Sequence, residues 1–321
     1  MFNREHFKKA KKFWYQGKFC SWEKPTVHSM AHALHYGTSV FEGIRAYPTS
    51  KGPSVFRLRE HVDRFFHSAS VLEMKLPYSK EEVITAILET VKENRLNSAY
   101  IRPMAFYSYG SLALDPRECL VEVVIAAWEW ELYLGDKVAQ QGAKALILPW
   151  KRFHHSQIVT SAKVGGLYAQ SQMGAIYAHK RGFDEGIFLN LEGNIAEGAG
   201  ENIFIIKNKV IKTNDAGESI LEGITQKSII EIAKNLGFPV EIGKITKEEL
   251  FAADEAFFTG TATEIAPLTR IRDDSFSKTG KSDYVIGDGQ TGKITSQLSQ
   301  AYKEAVGGKT SNYEQWLTYI P

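Results

Sequence analysis

Two kinds of hydrophobic pattern alternate along this chain, and together they restrict it to folds that combine helices with strands. Apolar residues recur at helical spacing in residues 60–72, and Ser79 is a favourable N-cap for a second helix. Residues 99–103 and the apolar run 121–127 have instead the composition of strands. Because 321 residues are too many for one small core, the sequence predicts two domains or one large α/β domain.

Three further segments carry specific structural predictions. Residues 36–47 are predicted to form one strand, with glycines where the backbone approaches another group closely. The change of character at residues 130–136 predicts an interdomain linker, which would separate a domain of residues 1–129 from one of residues 137–321. Residues 168–180 are predicted to be helical, with a packing face made of Ala169, Met173, Ile176 and Tyr177.

Composition excludes several classes of partner. The formal net charge of +2 does not indicate nucleic acid or an anionic membrane. Two cysteines, Cys20 and Cys119, cannot form a disulfide framework and favour a reducing compartment. The N-terminus lacks the pattern of a secretion signal, and no run of about 18 apolar residues occurs. We therefore expect a cytoplasmic protein without nucleic-acid or membrane partners.

Three histidines, His28, His32 and His35, have the spacing of metal ligands on one helix face. No acidic or cysteine ligand accompanies them, and Gly37 follows at once. We therefore predict no metal site and expect the histidines to fill a polar interior or an interface.

Lys163 lies in the segment SAKVGG, between the small pair Ser161-Ala162 and the flexible pair Gly165-Gly166. Small neighbours allow a tight, partly buried pocket, in which desolvation disfavours the ammonium form of the side chain. A neutral amine can form a Schiff base with a carbonyl cofactor. A solvated turn lysine is the alternative, and the segment by itself does not decide between them.

Two short turns in the second half of the chain have features of anion-binding sites. Gly223-Ile224-Thr225 stands at a predicted helix start, where free backbone N–H groups and the helix dipole favour phosphate. Residues 259–263 form a second small-residue turn after a predicted strand. Each could equally be an ordinary N-cap or turn, and neither a GxGxxG fingerprint nor a P-loop indicates a nucleotide.

Glu197 lies at the entry to a glycine-rich bend that precedes a strongly apolar strand. A buried carboxylate at this position needs a cationic partner. The protonated pyridine nitrogen of a cofactor would be one, and the carboxylate would keep that nitrogen protonated, so that the ring acts as an electron sink. A nearby arginine is the alternative, and the residue types leave both open.

Seven motifs occur in a characteristic order and spacing from Trp14 to the WLTYI ending: HYGTSVFEGIR, REHVDR, AYIRP, SAKVGG, EGAGENIF, EGIT and FFTGTATEIAP. On these motifs the chain resembles the branched-chain amino acid aminotransferases of the fold-type IV pyridoxal-phosphate enzymes. The resemblance implies an α/β fold of the α+β type. It further implies a small N-terminal α/β domain and a larger C-terminal domain with a mixed-sheet or pseudo-barrel core.

The resemblance also implies roles for cofactor-binding residues. Lys163 would hold pyridoxal 5′-phosphate and carry the proton between the substrate Cα and the cofactor C4′. Glu197 would lie at the pyridine nitrogen and Tyr168 at the phenolic oxygen. The other implied cofactor-binding positions, most of them around the phosphate, are Arg64, Asn202, Ile224, Thr225, Gly260 and Thr261.

A pocket with apolar walls and a cation at its rim is implied as well, since one site must accept both an aliphatic side chain and that of glutamate. Arg102 would be this cation, and backbone groups of Thr261 and Ala262 would lie near the substrate carboxylate. The loop with Leu112 and Leu114 would enter a neighbouring subunit's site, which implies at least a homodimer. The remaining pocket positions are Tyr36, Phe41, Gly43, Tyr100, Trp130 and Tyr133.

The implied activity is transamination between a branched-chain or other hydrophobic L-amino acid and 2-oxoglutarate, which yields a 2-oxo acid and L-glutamate. Leu167 and residues 128–131 depart from the family pattern near the expected pocket, so aromatic donors stay open. Alternatives on the same fold are D-amino acid or (R)-amine transaminases and aminodeoxychorismate lyases. A non-catalytic protein that binds a phosphorylated ligand is a third class, disfavoured by the presence of Lys163 and Glu197.

Overall fold

The computed structural model describes residues 7, 10–130, 134, 135, 138, 141–275 and 282–321. Strands and helices alternate along these residues. The strands are β1 (Lys12–Tyr15), β2 (Lys18–Ser21), β3 (Ser39–Phe41), β4 (Ile44–Tyr47), β5 (Ser54–Phe56), β6 (Ala99–Tyr107), β7 (Val121–Trp128), β8 (Ala143–Lys151), β9 (Glu185–Leu189), β10 (Ile195–Gly198), β11 (Asn202–Lys207), β12 (Val210–Thr213), β13 (Val240–Ile242), β14 (Glu255–Gly260), β15 (Glu264–Asp273), β16 (Ser282–Val285) and β17 (Leu317–Tyr319).

The α-helices of the described chain are short to medium in length. They are α1 (His32–Tyr36), α2 (Leu58–Val71), α3 (Lys80–Glu93), α4 (Tyr168–His179), α5 (Ile224–Asn235), α6 (Lys247–Phe251) and α7 (Lys293–Val306). Short 3₁₀ turns cover Gly165–Leu167, Ala216–Glu218 and Ser311–Trp316. Over the described ranges, no helix is both long enough and apolar enough to cross a lipid bilayer.

The chain divides into two compact units. The first comprises Met1–Glu131, Ala162–Leu167 and Glu304–Pro321, and the second comprises Leu132–Ser161 and Tyr168–Lys303. The segment around Lys163 therefore belongs to the first unit. The predicted linker of residues 130–136 lies partly outside the described residues, and the domain limits read from the sequence stay a prediction.

An antiparallel sheet forms the first unit. Its eight strands include the order β17-β5-β4-β6-β7-β1-β2, and β3 pairs separately with β6. The two predicted helices are present, and Ser79 caps α3 in a capping box with Glu82. α2 and α3 each bury one apolar stripe in the core of this unit, made of Val62, Phe65, Ala69, Val83, Ile87 and Val91.

A mixed sheet of nine strands forms the second unit. Its order is β10-β9-β8-β15-β14-β11-β12-β13, with β16 beside β15. β8 runs parallel to both β9 and β15, and β12 runs parallel to β13, while the other pairs are antiparallel. α4 packs on β8 and β9, and α5 packs on β14. This is the mixed sheet that the sequence resemblance implied.

The prediction of one strand over residues 36–47 is wrong. Tyr36 ends α1, and Gly37 follows as its C-cap with a left-handed φ of 68°. β3 and β4 are interrupted at Glu42 and Gly43, and the Glu42 N–H donates to the Pro103 carbonyl. A helical turn and two short strands share the apolar composition of one strand, so the pattern could not separate them.

The predicted packing face of α4 is also wrong. Met173 and Ile176 are 53% and 47% exposed, and the buried residues of this helix are Ser171, Gly174 and Ala178. A Cβ on Gly174 would lie 2.7 Å from side-chain atoms of Leu148 and Phe188. The helix approaches the sheet so closely that only small residues fit beneath it, and the large apolar residues point outward.

Two glycines bring the end of α1 against the Lys163 segment. A Cβ on Gly37 would lie 2.6 Å from the Cα of Gly166, and the Gly166 N–H donates to the Gly37 carbonyl at 3.0 Å. The left-handed φ of Gly37 would cost a residue with a side chain about 1–2 kcal/mol. Position 37 therefore requires glycine for both its conformation and its contact.

We predict that Gly37→Ala lowers the free energy of unfolding by more than the about 1–2 kcal/mol of left-handed strain. The Gly166 backbone would have to move as well. Gly182→Ala is the matched control, because Gly182 has a φ of 81° and no neighbouring atom within 4 Å of an added Cβ. Urea unfolding measures both variants. Equal losses would contradict the close backbone contact.

Candidate active site

The backbone of Lys163 is fixed to two elements of the first unit. Its N–H donates to Ser68 Oγ at 2.9 Å, and its carbonyl accepts from the N–H of Phe41, at the end of β3, at 3.2 Å. Ser68 Oγ in turn donates to the carbonyl of Arg64 in α2 at 2.8 Å. These bonds determine where the lysine side chain starts.

The side chains of Lys163 and Arg102 both lie next to Phe41. Lys163 is partly buried, with Nζ 5.0 Å from the centroid of the Phe41 ring, and the Arg102 guanidinium carbon is 4.7 Å from the same centroid. Arg102 Nη2 donates to the Tyr100 hydroxyl at 3.3 Å. Arg102 Nε is buried and has no hydrogen-bond partner within the described part of the chain. Such a donor is suited to an anionic ligand group.

Aromatic rings surround Tyr100. Its ring packs edge-on against Trp130 at 4.6 Å and lies 5.3 Å from Trp128. A Cβ on Gly43 would lie 2.1 Å from the Tyr100 hydroxyl, so glycine leaves the space that this hydroxyl occupies. Most of the predicted pocket residues thus come together in the first unit. The predicted pocket residue Tyr133 lies outside the described residues.

Arg64 forms a buried ion pair with Glu42. Its Nε and Nη2 donate to Oε1 at 2.6 Å and to Oε2 at 3.0 Å, and His61 Nδ1 lies 2.8 Å from Oε2. Burial opposes ionisation of Glu42, but the charge of Arg64 and the contact with His61 outweigh it and hold the pKa of the carboxyl well below its usual range. Burial lowers the pKa of His61. The predicted phosphate ligand thus has a carboxylate partner in its own unit.

Hydrogen bonds tether the loop that carries Leu112 and Leu114. His32 Nε2 donates to the Ala113 carbonyl at 2.9 Å, and the Tyr36 hydroxyl donates to the Leu112 carbonyl at 3.0 Å. The Leu114 side chain is nevertheless 82% exposed. The backbone of this loop is held from within the chain, and its largest apolar side chain is left uncovered.

The three histidines do not share one environment. His32 is buried, whereas His28 and His35 are exposed, so an interface is the alternative that stays open for those two. In the described ranges of the chain, no group of three or more His, Cys, Asp or Glu side chains is arranged to hold a metal ion.

Glu197 is 5% exposed, and its cationic partner in the second unit is an arginine. Arg152 Nε donates to Glu197 Oε1 at 2.8 Å. Arg152 is itself fixed, because Nη1 donates to Ser171 Oγ at 3.0 Å and the guanidinium carbon lies 5.2 Å from the centroid of the Phe188 ring. The arginine alternative that the sequence left open is therefore present.

Glu197 and Asn202 together hold the backbone that leads into α5. Glu197 Oε2 accepts from the Leu221 N–H at 3.1 Å, and Asn202 Nδ2 donates to the Leu221 carbonyl at 2.9 Å. A Cβ on Gly223, the N-cap of α5, would lie 2.1 Å from Asn202 Oδ1. The two residues that flank the bend between β10 and β11 therefore set the position of the helix start.

The first turn of α5 has the donor groups of an anion site. Ile224 and Thr225 are 6% and 3% exposed. The first backbone N–H groups of an α-helix have no partner within the helix, and the dipole is positive at this end. The predicted phosphate-binding residues here therefore lie where the backbone favours an anion.

The second small-residue turn is shorter than predicted, because β14 continues to Gly260. Thr263 Oγ1 donates to Glu201 Oε1 at 3.0 Å, and a Cβ on Gly260 would lie 3.4 Å from the Gly200 carbonyl oxygen. Thr261 and Ala262 are partly buried. This turn thus packs against the same bend that positions α5.

Tyr168 is the first residue of α4 and is partly buried. It belongs to the second unit, as do all the predicted cofactor-binding residues except Arg64 and Lys163.

The sequence analysis missed four residues that bind the predicted ones. Glu42 and Glu201 were detectable, because each is a charged residue within an apolar strand pattern. Ser68 and Arg152 carry no such signal, since their partners are distant in the sequence and only the fold brings them together.

The profile of the amino-transferase class IV family matches residues 39–271. The chain belongs to the class IV amino-transferases. It is 42% identical over 307 residues to the branched-chain-amino-acid aminotransferase of Pseudomonas aeruginosa, and the match covers 96% of each chain. The family prediction from the sequence is confirmed.

Solved structures agree with the fold of this class IV amino-transferase. Two crystal structures of one thermophile's branched-chain amino acid aminotransferase, its source abbreviated T.th., match with TM-scores of 0.90 and 0.89, at 43% and 42% identity. Each match covers 97% of this chain and 99% of the other. The first contains pyridoxamine 5′-phosphate, and the second is a complex with N-(5′-phosphopyridoxyl)-L-glutamate. The predicted fold class is thereby confirmed.

The Glu42–Arg64 pair gives this amino-transferase a pH-dependent stability. The pKa of Glu42 is lower in the folded chain than in the unfolded one, so its contribution is present above about pH 4.3 and is lost as the pH falls through the folded-state value. Glu42→Gln should lower the free energy of unfolding by about 3–5 kcal/mol at pH 7, because buried Arg64 loses its carboxylate. Urea unfolding should show the difference from wild type shrinking below about pH 4.3.

Glu81→Gln is the control for this prediction. Glu81 pairs with Arg59 on the surface, where both side chains are 70% exposed, and its loss should cost less than about 1 kcal/mol. A pH-independent difference between wild type and Glu42→Gln would contradict the ionised state of Glu42.

Proposed function

We propose that this chain is a pyridoxal-phosphate-dependent aminotransferase that exchanges an amino group between a branched-chain or other hydrophobic L-amino acid and 2-oxoglutarate. Similar proteins carry the name branched-chain amino acid aminotransferase, and two solved relatives contain phosphopyridoxyl ligands, one of them joined to L-glutamate. The substrates are small amino acids and 2-oxo acids.

One observation carries the proposal: the Lys163 amine and the Arg102 guanidinium lie 5.0 Å and 4.7 Å from the centroid of the same Phe41 ring. A nucleophilic amine, an apolar wall and a cation are therefore close together. An enzyme that alternates between a hydrophobic amino acid and glutamate needs all three, since the two substrates differ in whether the side chain is charged.

The donor groups of the second unit fit the phosphate of the cofactor. The free N–H groups in the first turn of α5 and the Thr225 hydroxyl would bind it, with the turn of Gly260 and Thr261 as a further contact. Arg64 would add positive charge from the first unit. Asn202 would contribute by holding the residues that precede α5.

The acceptor groups fit the cofactor ring. Glu197 is a buried carboxylate, and its Oε2 is bound by the single N–H of Leu221 at 3.1 Å. It would accept the N–H of the pyridine ring and keep that nitrogen protonated. Arg152 would hold Glu197 in place for this contact. Tyr168 would donate to the phenolic oxygen.

When bound, pyridoxal phosphate would supply a carbonyl that takes up the amino group and a ring that stabilises negative charge at the substrate Cα. Lys163 would attach the cofactor through its amine. Once released, the same amine would take the proton from the substrate Cα and return it at C4′. Its backbone bonds to Ser68 and Phe41 keep the amine close to the place where this proton moves.

Substrate binding would divide between two groups of residues. Tyr36, Phe41, Gly43, Tyr100 and Trp130 would surround an aliphatic side chain, and Arg102 would bind the second carboxylate of glutamate. Backbone groups of Thr261 and Ala262 would bind the carboxylate that both substrates share.

A homodimer belongs to this proposal, with Leu114 of each chain completing the site of the other. The 82% exposure of Leu114 supports it, because a large apolar side chain on a tethered loop is suited to contact with a partner. A cytoplasmic location remains the expectation from the cysteine content.

Lys163→Ala should abolish covalent attachment of pyridoxal phosphate. After borohydride reduction, mass spectrometry should find the cofactor on Lys163 of the wild type and on no residue of the variant. Transamination should fall by at least roughly 10²–10⁴-fold, because the variant lacks the group that moves the proton. Lys180→Ala removes an exposed lysine and should match the wild type. Attachment at another lysine would contradict the assignment.

A panel of amino donors separates the alternatives on the same fold. With 2-oxoglutarate as acceptor, we expect the highest kcat/KM for L-leucine or a similar aliphatic L-amino acid, and a lower value for L-phenylalanine. D-alanine and an (R)-amine should be poor donors. Activity confined to the last two would contradict the proposal.

Arg102→Met should separate the two half-reactions. The change removes the cation but keeps an unbranched side chain against Phe41, so the leucine half-reaction should change little. The glutamate half-reaction should lose about 1.5–3 kcal/mol, which is roughly 10- to 150-fold in kcat/KM. Rapid-mixing absorption measurements with each donor test this, and Arg59→Met, at an exposed site, is the control. Equal losses for both donors would contradict the role of Arg102.

A further inference from the structure

Two glutamates, Glu185 and Glu201, lie side by side in the buried part of the second unit. Glu185 begins β9 and is 0% exposed, and Glu201 ends the bend of residues 199–201 and is 4% exposed. Their carboxyl groups interact directly. Neither residue has a part in the proposed reaction.

The hydrogen-bond donors around this pair do not suffice for two carboxylates. Glu185 Oε1 accepts from the Gly186 N–H at 2.7 Å, and the Ala199 N–H lies nearby. Glu185 Oε2 is buried and has no hydrogen-bond partner in the described ranges when both groups are ionised. A second ionised carboxylate beside it would add repulsion in a site shielded from water.

Glu201, by contrast, is bound at both oxygens. Oε1 accepts from Thr263 Oγ1 at 3.0 Å, and Oε2 accepts from the Gly200 N–H at 3.0 Å. One proton placed between the two carboxyl groups would supply the donor that Glu185 Oε2 lacks. It would also remove one of the two negative charges.

We propose that Glu185 and Glu201 share one proton at neutral pH and act as a positioning pair, which holds the 199–201 bend between β9 and the turn at Thr263. The bend connects Glu197 to Asn202, and the turn carries Thr261 and Ala262. The consequence for cofactor and substrate binding rests on the proposed function, whereas the shared proton does not.

The electrostatic surroundings favour one proton on the pair. Burial raises the pKa of Glu185 well above its ordinary value, and the Glu201 carboxyl adds to this effect. Burial also raises the pKa of Glu201, and the Glu197 carboxylate acts in the same direction. Arg152 is bound to Glu197. With the pair carrying a proton, Glu197 keeps the full charge that a ring nitrogen needs.

Infrared difference spectroscopy on the full chain without cofactor tests the shared proton. At pH 7 the wild type should show the C=O stretch of a buried protonated carboxyl. Glu185→Gln and Glu201→Gln should each lose it, because the amide N–H then donates to the remaining carboxylate. Exposed Glu231→Gln should keep it. Absence of the band in the wild type, or its persistence in either buried variant, would overturn the proposal.

The pH dependence of stability gives a second measurement. The folded pair keeps its proton to a higher pH than the unfolded chain, which releases it near about pH 4.3. The stability that the proton provides is therefore complete below that pH and is lost as the pH rises towards the folded-state value. Melting temperatures from pH 5 to 8 should fall more steeply for the wild type than for Glu185→Gln. Parallel curves would overturn the shared proton.

Cofactor affinity tests the positioning role. Glu185→Leu leaves Glu201 without its partner and should weaken binding of pyridoxal phosphate roughly tenfold or more, whereas Glu185→Gln should retain most of the affinity. Unchanged affinity in Glu185→Leu would overturn the positioning role. Failure of the wild type itself to bind the cofactor would contradict the proposed function instead, and would leave the infrared result standing.

Discussion

The backbone hydrogen bonds of Lys163 are the constraint on which the candidate active site depends. Ser68 in α2 and Phe41 in β3 bind the two sides of this residue, and Gly37 and Gly166 meet at a distance that excludes any side chain. A segment far along the chain is thereby fixed to elements near the N-terminus. The amine of Lys163 then lies beside the same aromatic ring as Arg102.

Carboxylates organise the second unit in a comparable way. Glu197 binds Arg152 with one oxygen and the backbone before α5 with the other, so one side chain connects a charge pair to a helix start. Glu201 binds Thr263 and contacts Glu185, which joins the bend to the next turn. Because these groups are buried, each unmatched donor or charge is costly, and the arrangement tolerates few alternatives.

Sequence patterns predicted the elements whose signals are local. The capping box at Ser79 and the apolar stripes of α2 and α3 depend on spacing within one helix, and the structure has them. The strand predicted over residues 36–47 failed, because the left-handed turn at Gly37 depends on contact with Gly166. The packing face of α4 failed for a similar reason, since the close approach of the sheet to Gly174 selects small residues.

The sequence alone determined the family, because seven motifs in order are a signal that needs no coordinates, and it named Lys163, Glu197 and Arg102 as candidates. Only the tertiary structure decided their partners. Arg152 for Glu197, Glu42 for Arg64 and Glu185 for Glu201 come from distant parts of the chain. A hydrogen bond or a shared proton depends on distances of a few ångströms between such residues, and residue order does not contain those distances.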